Sequence, residues 1–222
     1  MKLDLHVHSF YSKDAGNLPK TIIEKALEKK LDGIAVTDHD SVKAWKELNA
    51  LGRKAGVKVI QGEELKVYEG KKFVGELMGL FLTEKIKKKN YMEAIEEIRA
   101  QGGIVVVPHP FDVFRNNFKK LNEAVKAKKV DAIEAFNSRC YFNSFNEKAE
   151  RFAEKNSLPK IAGSDAHFPE EIGNAFTEVK ADSIEDARRL IRKDHTRISG
   201  RKSSFAVHLK TRVRKYNIIK PE

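Results

Sequence analysis

The chain has 222 residues, of which 41% are hydrophobic and 34% are charged, and it contains a single cysteine, Cys140. This length suits one domain with a sizeable core, and the composition excludes an intrinsically disordered chain. One cysteine excludes a disulfide framework, and no apolar run has the length of a membrane span or the pattern of a signal peptide. We therefore expect a cytoplasmic protein that does not bind membranes.

The formal net charge of +11 has two interpretations. Surfaces rich in Lys and Glu are common in hyperthermophile proteins, which makes a heat-loving source a reasonable hypothesis. Alternatively, the excess charge serves an anionic partner, either nucleic acid or a phosphorylated metabolite. The positive charge is concentrated at residues 85–89 and from Arg201 to Lys220, and this uneven distribution keeps the second interpretation open.

Predicted strands and helices alternate along the chain. The strands lie at residues 2–7, 33–36, 57–60, 64–69, 73–81, 104–107, 130–136, 160–163, 175–179 and 196–199, and the helices at 18–30, 42–55, 91–100, 116–128, 145–155 and 184–193. Segments 64–69 and 73–81 form a hairpin around Gly70. Repeated strand–helix units with apolar strands predict a parallel sheet covered by helices, and about six or seven units predict a closed or nearly closed barrel. We assign residues 1–200 to this barrel and residues 201–222 to a basic tail that packs on it or extends from it.

The first predicted strand carries two histidines, His6 and His8. Side chains two residues apart on a strand point to the same face, so both imidazoles project together. Two adjacent imidazoles can bind one transition metal. Taken alone, the pair is a weak signal, and two ordinary surface histidines are the better interpretation.

Other polar side chains also follow predicted strands. Five of the seven histidines belong to this set, whereas His195 and His208 do not and are interpreted as surface residues. The carboxyl ends of barrel strands converge on one rim, where catalytic groups gather. The set exceeds the ligands that one tetrahedral zinc needs and suits two or three cations that activate water and bind phosphate oxygens. Its members are His6, His8, His39, Glu63, His109, Asp165 and His167.

The segments DLHVHS, VTDHDS, QGEE, VVPHP and AGSDAH occur in this order across residues 4–167, and GNAFTEV follows them. In these segments the sequence resembles the PHP (polymerase and histidinol phosphatase) family of metal-dependent phosphoesterases. The resemblance implies an α/β fold, a distorted (β/α)7 TIM-like barrel of the PHP type. It also implies a site for two or three divalent ions, which would be Zn, Mn or Fe.

The resemblance further implies a ligand set. Glu63 would be the bridging glutamate, and Asp14 occupies a position that is Asp or His in the family. Relatives often have a histidine where this chain has Glu76; a carboxylate can still ligate and would favour Mn or Fe, although an exposed hairpin residue remains the alternative. The implied metal ligands are His6, His8, Asp14, His39, Glu63, Glu76, His109, Asp165 and His167.

The expected reaction is hydrolysis of a phosphate monoester or diester. Asp165, His167 and Glu63 are the expected catalytic residues, which hold metal and handle protons. Arg139 and Asn137 are the expected substrate-binding residues, because a guanidinium suits phosphate and both follow the same strand.

Several secondary assignments accompany this set. Arg115 is a weaker candidate for phosphate binding. Asp38 and Asp40 flank His39, and either could orient an imidazole. Cys140 is interpreted as a packing residue, since nothing near it in the sequence lowers its pKa.

Three functions remain open. The first is a phosphoesterase acting on a small phosphorylated molecule, such as a nucleotide or a sugar phosphate. The second is an exonuclease on short oligonucleotides, with the basic tail contacting backbone phosphates, although Phe205 and Tyr216 alone offer no stacking platform in that tail. The third, a non-catalytic RNA-binding barrel subunit, is disfavoured because a binding scaffold has no need for clustered imidazoles and carboxylates. The oligomeric state is left open.

Overall fold

A computed structural model describes residues 1–216; residues 217–222, which include Lys220 of the predicted basic tail, lie outside the described residues. The described chain has nine strands, seven helices and a 3-10 turn at Pro169–Glu171. The strands are β1 (Lys2–Val7), β2 (Gly33–Val36), β3 (Lys58–Glu69), β4 (Lys72–Leu80), β5 (Ile104–Val107), β6 (Ala132–Asn137), β7 (Lys160–Gly163), β8 (Ala175–Val179) and β9 (Thr196–Gly200). The helices are α1 (Pro19–Glu28), α2 (Trp45–Ala55), α3 (Tyr91–Ala100), α4 (Leu121–Lys126), α5 (Asn143–Lys155), α6 (Ile184–Ile191) and α7 (Ala206–Lys215). Within residues 1–216, no helix combines the length and apolarity that crossing a bilayer requires.

The strands form one mixed sheet in the order β7-β6-β5-β4-β3-β2-β1-β8-β9. The sheet curls until β7 meets β1, where the Asp165 N–H donates to the His6 carbonyl at 2.7 Å and the His8 N–H donates to the Ala166 carbonyl at 3.0 Å. The predicted nearly closed α/β barrel is therefore confirmed. The prediction of a parallel sheet holds for β1–β2–β3 and β5–β6–β7, whereas β4, β8 and β9 run antiparallel to their neighbours.

Strand β3 is a single twelve-residue strand, although the sequence predicted two separate strands around Gly62. A Cβ atom at Gly62 would lie 2.9 Å from the Gly79 carbonyl oxygen and 3.0 Å from Thr37 Cγ2. Glycine is needed here because β4 and the end of β2 approach the backbone of β3 closely. It therefore marks a close contact inside one strand and not the end of a strand.

The barrel interior is filled by an apolar cluster that runs from strand to strand. Leu3, Leu5, Ile60 and Met78 belong to it, and α6 contributes Ala187 and Ile191. A second, larger cluster lies between the outer face of the sheet and the surrounding helices. The interior is therefore closed by packing, and the polar side chains that follow these strands collect at the carboxyl rim.

Two segments lie over this rim. Residues 116–120, predicted to be helical, instead run along β4, where the Glu76 N–H donates to the Asn116 carbonyl at 3.0 Å; only Leu121–Lys126 form helix α4. Helix α7, from the described part of the predicted tail, also lies against the barrel. Arg214 Nε donates to the Ala15 carbonyl at 2.6 Å, and Arg139 Nη2 donates to Thr211 Oγ1 at 2.6 Å.

We expect Gly62→Ala to lower the free energy of unfolding by about 1–3 kcal/mol, because the new methyl group would press on a backbone carbonyl that cannot rotate away. Guanidinium chloride unfolding followed by circular dichroism measures the change. Gly16→Ala is the matched control, since the nearest atoms to its Cβ, in the Phe168 ring, lie at 3.4 Å. Equal stabilities of the two variants would contradict the close contact at Gly62.

Candidate metal centre

A β-bulge in β1 directs its two histidines into the rim. Asp4 pairs with Ile34 and Val7 pairs with Val36, so β1 advances by three residues over the distance in which β2 advances by two. An extra residue of this kind reverses the alternation of faces. Leu5 therefore faces the barrel interior and Val7 the helices, while His6 and His8 both enter one buried pocket.

The first donor group consists of His6, His8, Glu64 and Asp165. The Nε2 atoms of His6 and His8 lie 3.1 Å apart. Glu64 Oε2 is 3.5 Å from His6 Nε2 and 3.4 Å from His8 Nε2, and Asp165 Oδ1 is 3.3 Å from His8 Nε2. All four side chains are fully buried, so their lone pairs converge on a site shielded from water.

Glu64 also connects two further groups. Its Oε1 atom lies 3.1 Å from His109 Nε2, which is 3.8 Å from Glu76 Oε2. Its Oε2 atom lies 3.0 Å from His39 Nδ1. A single carboxylate thus contacts four imidazoles.

The third group faces the opening of the pocket. His39 Nε2 lies 3.9 Å from Asp14 Oδ2, and His167 Nε2 lies 3.6 Å from Asp14 Oδ1. The ring of His167 is centred 4.3 Å from that of His8. Donor atoms close enough to share an ion therefore occur in three overlapping sets, which are His6–His8–Glu64, Glu64–Glu76–His109 and His8–His39–His167.

The structure brings together every predicted metal ligand except Glu63. Side chains alternate along β3, so Glu64 shares the inner face with Ile60 while Glu63 points outward. There Glu63 Oε2 accepts a hydrogen bond from the Ile86 N–H at 3.0 Å. The structure therefore contradicts the placement of Glu63 among the predicted bridging and catalytic ligands, and the adjacent Glu64 lies among the donors instead.

Glu134 on β6, which none of the sequence motifs contains, supports the pocket from behind. Its Oε1 atom lies 2.9 Å from His6 Nδ1, and its Oε2 atom accepts from the His109 N–H at 2.8 Å. A lone carboxylate in the apolar strand AIEAFN was the available signal. Gly163 permits this approach, because a Cβ there would lie 2.3 Å from His6 Cβ and 2.9 Å from Glu134 Oε1.

Asn137 was predicted to bind substrate, but its amide group is fully buried behind the donors. Its Nδ2 donates to Glu134 Oε2 and to Asp165 Oδ2, both at 2.9 Å. Both amide hydrogens are thereby used, so Asn137 positions two carboxylates and has no amide hydrogen left to donate to a substrate.

Asp38 acts on His8 through a hydroxyl group. Its Oδ1 accepts from Ser12 Oγ at 2.8 Å, and Ser12 Oγ lies 3.1 Å from His8 Nδ1. The predicted orienting role of Asp38 is thus indirect. Asp40 points elsewhere and pairs with Lys89.

Several charged groups of the pocket stabilise one another against the cost of burial. Burial disfavours the charged form of His39, but Glu64 outweighs it and raises the pKa of the imidazole to about 10. Burial opposes charge on Asp165 as well, yet Arg115 and His6 hold the pKa of this carboxyl well below its usual range. Divalent cations compete with protons for such donors.

The donor set fits metal ions on structural grounds as well. Within residues 1–216, five buried donor atoms of the pocket lack a hydrogen-bond partner of suitable geometry: Asp14 Oδ1, His39 Nδ1, Glu64 Oε2, His109 Nδ1 and Asp165 Oδ1. Buried polar atoms are normally paired. His109 and Asp165 also adopt left-handed backbone angles, with φ of 30° and 55°, a strain that tends to occur at functional sites.

A cavity of about 300 Å³ opens above the donors. Arg115 and Arg139 both line it. Arg115 pairs with Asp165, whereas Arg139 pairs with Glu171, 3.2 Å away, and donates to Thr211. The side chain of Arg115 is 15% exposed and that of Arg139 is 3% exposed, so Arg115 is the more accessible of the two guanidinium groups. His208, interpreted from the sequence as a surface residue, also lines the cavity.

Cys140 is buried, and burial raises the pKa of its thiol far above the usual range. A thiol held in its protonated form is a poor nucleophile. The interpretation of Cys140 as a packing residue is consistent with this environment.

Comparison with known proteins places these features in a family. A family model described as PHP-associated matches residues 143–196. Uncharacterized protein MJ0417 of Methanocaldococcus jannaschii is 40% identical over 190 residues, which cover 83% of this chain and 73% of the relative.

Solved structures share the fold. A two-domain protein from Bacteroides vulgatus that contains a predicted PHP-like metal-dependent phosphoesterase superposes with a TM-score of 0.78 at 19% identity, covering 96% of this chain and 69% of that one. The lesion-specific endonuclease PfuEndoQ from Pyrococcus furiosus superposes with a TM-score of 0.65 at 21% identity, covering 100% and 72%. With its motif set, its barrel and these relatives, the chain belongs to the PHP (polymerase and histidinol phosphatase) family.

Proposed function

We propose that this protein is a metal-dependent phosphoesterase that hydrolyses phosphate esters of small phosphorylated molecules and uses two or three divalent ions, Zn, Mn or Fe. The proposal depends mainly on three adjacent donor sets that lie beneath an arginine-lined cavity. Neighbouring sets share a residue: His8 belongs to two of them, and Glu64 also belongs to two. A protein that only bound RNA would not need buried carboxylates and imidazoles, because burying them without ions costs stability.

The ions would be held by His6, His8, His39, His109, His167, Asp14, Glu64, Glu76 and Asp165. Bound there, they would supply Lewis acidity toward water and toward the oxygens of the phosphate group. Arg115 lines the cavity beside Asp165 and would donate hydrogen bonds to a phosphate oxygen. In the overall reaction, a water oxygen bonds to phosphorus and the bond from phosphorus to the leaving oxygen breaks. The proton that the attacking water loses is taken up by the leaving oxygen, which completes the balance.

The names of two structural neighbours support this class of reaction, since one contains a predicted PHP-like metal-dependent phosphoesterase and the other is a lesion-specific endonuclease. Phosphate-ester hydrolysis is common to both. The single buried cysteine is compatible with the cytoplasmic location expected from the sequence.

We expect Glu64→Gln to lose at least one bound divalent ion per chain, because the substitution removes the charge shared by two of the three donor sets. Protein loaded with Mn²⁺ or Zn²⁺ and then dialysed can be analysed by inductively coupled plasma mass spectrometry. Glu63→Gln is the matched control. Burial raises the pKa of Glu63 to about 7, and a glutamine resembles its protonated form. If the two variants retained the same amount of metal, the assignment of the bridging role to Glu64 would have to be abandoned.

We expect the metal-loaded protein to release phosphate or nitrophenol from p-nitrophenyl phosphate or bis-p-nitrophenyl phosphate, and Glu64→Gln to reduce kcat/KM by about 100-fold or more. Prior treatment with a chelator should abolish turnover, and adding back Mn²⁺, Zn²⁺ or Fe²⁺ should restore it. Turnover that persists after complete removal of metal would refute the proposed chemistry.

We expect Glu134→Gln to weaken metal binding by about 10–100-fold, because this residue orients His6 through its ring and His109 through its backbone. Metal titration by calorimetry gives the dissociation constants, and Glu63→Gln again serves as the control for a buried glutamate on the other face of the sheet. Wild-type affinity in Glu134→Gln would show that the contact does not position the ligands.

A further inference from the structure

A partly exposed group of aromatic side chains adjoins the cavity. We call it the aromatic shelf. Its members come from the loop before α4, from the β6–α5 loop and the first turn of α5, and from the tail, and they are Phe114, Tyr141, Phe142, Phe145, Phe205 and His208. The Phe114 ring is centred 5.0 Å from that of Tyr141, and Tyr141 stacks on His208 at 4.1 Å with an interplanar angle of 20°. Phe114 and Phe205 are 61% and 72% exposed.

The shelf is continuous with the cavity above the donor groups. Phe114, Tyr141 and His208 line that cavity together with Arg115 and Arg212. A ligand that places its phosphate beside Arg115 would therefore have an adjoining ring in contact with Phe114 or Tyr141.

The shelf is held in place from below. Asp112 is fully buried, its Oδ1 accepts from the Phe114 N–H at 3.1 Å, and its Oδ2 accepts from the Tyr141 N–H at 3.0 Å. One carboxylate thus fixes two loops that are distant in sequence. Lys202 strengthens this arrangement by donating to the Tyr141 carbonyl at 2.6 Å.

The chemistry that fits this combination is a flat, partly polar ring joined to a phosphate. Contiguous apolar patches on a protein surface often mark binding sites. Every nucleobase has a flat π face that can stack on an aromatic side chain, whereas a sugar phosphate has no aromatic ring. Positive charge from the arginines complements the phosphate.

We propose that the substrate carries a nucleobase, which stacks on the aromatic shelf while its phosphate enters the cavity. The substrate class is thus a free nucleotide or the terminal nucleotide of a short single strand. This proposal rests on the proposed phosphoesterase function and specifies the substrate of the same site.

The test compares adenosine 5′-monophosphate with ribose 5-phosphate, and a 5′-phosphorylated dinucleotide with the same compound lacking its terminal base. Phosphate release by the Mn²⁺-loaded protein gives kcat/KM for each. We expect the base to raise kcat/KM by about tenfold or more. A larger effect of the base in the mononucleotide pair would indicate a free nucleotide as substrate, and a larger effect in the dinucleotide pair would indicate the end of a strand.

Substitutions at Phe114 test whether stacking causes the preference. Phe114→Ala and Phe114→Leu should each lower the ratio of kcat/KM with the base to kcat/KM without it by about tenfold, because leucine keeps an apolar surface but has no ring on which a base can stack. Phe114→Trp keeps an aromatic ring and should preserve the ratio. Leu27→Ala, which truncates an exposed apolar residue on α1, should leave both rates unchanged. Equal ratios in wild type and Phe114→Ala would overturn the proposal.

A binding measurement separates this proposal from the proposed function. Stacking quenches the fluorescence of 2-aminopurine, so a 2-aminopurine nucleotide should be quenched by wild type and by Phe114→Trp but not by Phe114→Ala. If the protein hydrolysed no ester yet quenched this probe, the phosphoesterase function would fail and the shelf would stand. If the protein hydrolysed ribose 5-phosphate without quenching the probe, the shelf would not be a base-binding surface. The same conclusion would follow if the only effect of Phe114→Ala were a change of oligomeric state in size-exclusion chromatography.

Discussion

The carboxylate of Glu64, buried among four imidazoles, is the interaction on which the rest of the structure depends. A buried negative charge without a partner is strongly destabilising, and several more carboxylates lie within the same pocket. Arg115 pairs with Asp165, but one guanidinium does not balance them all. The barrel rim therefore needs further positive charge, which divalent ions supply in the function that we propose.

The backbone is adapted to this cluster at several points. A bulge in β1 turns His6 and His8 inward, the left-handed angles of His109 and Asp165 aim their side chains at the pocket, and Gly163 leaves room for His6 to reach Glu134. Each feature departs from ideal geometry, and such departures tend to persist where surrounding packing holds them for a function. The apolar interior and the outer helices supply that support.

The rim is completed by segments that belong to no barrel strand. The loop before α4 pairs with β4, and α7 lies across the opening with Thr211 bonded to Arg139. These segments add the features most directly relevant to specificity, because they bring arginines and aromatic rings to the entrance of the same cavity. Specificity in this architecture would thus depend on loops, while the chemistry depends on strand ends.

The sequence by itself determined the family, the barrel and most of the donor residues, because motifs at strand ends are local and a parallel barrel brings strand ends to one rim. It could not choose between Glu63 and Glu64, since the choice depends on which face of β3 points inward, and that face is set by pairing with β2 and β4. It missed Glu134 and misread Asn137 because their roles arise from contacts with residues far away in the chain. The same is true of the aromatic shelf: the tail shows only Phe205 and Tyr216, and only tertiary packing places Phe205 and His208 beside Tyr141, which in turn adjoins Phe114.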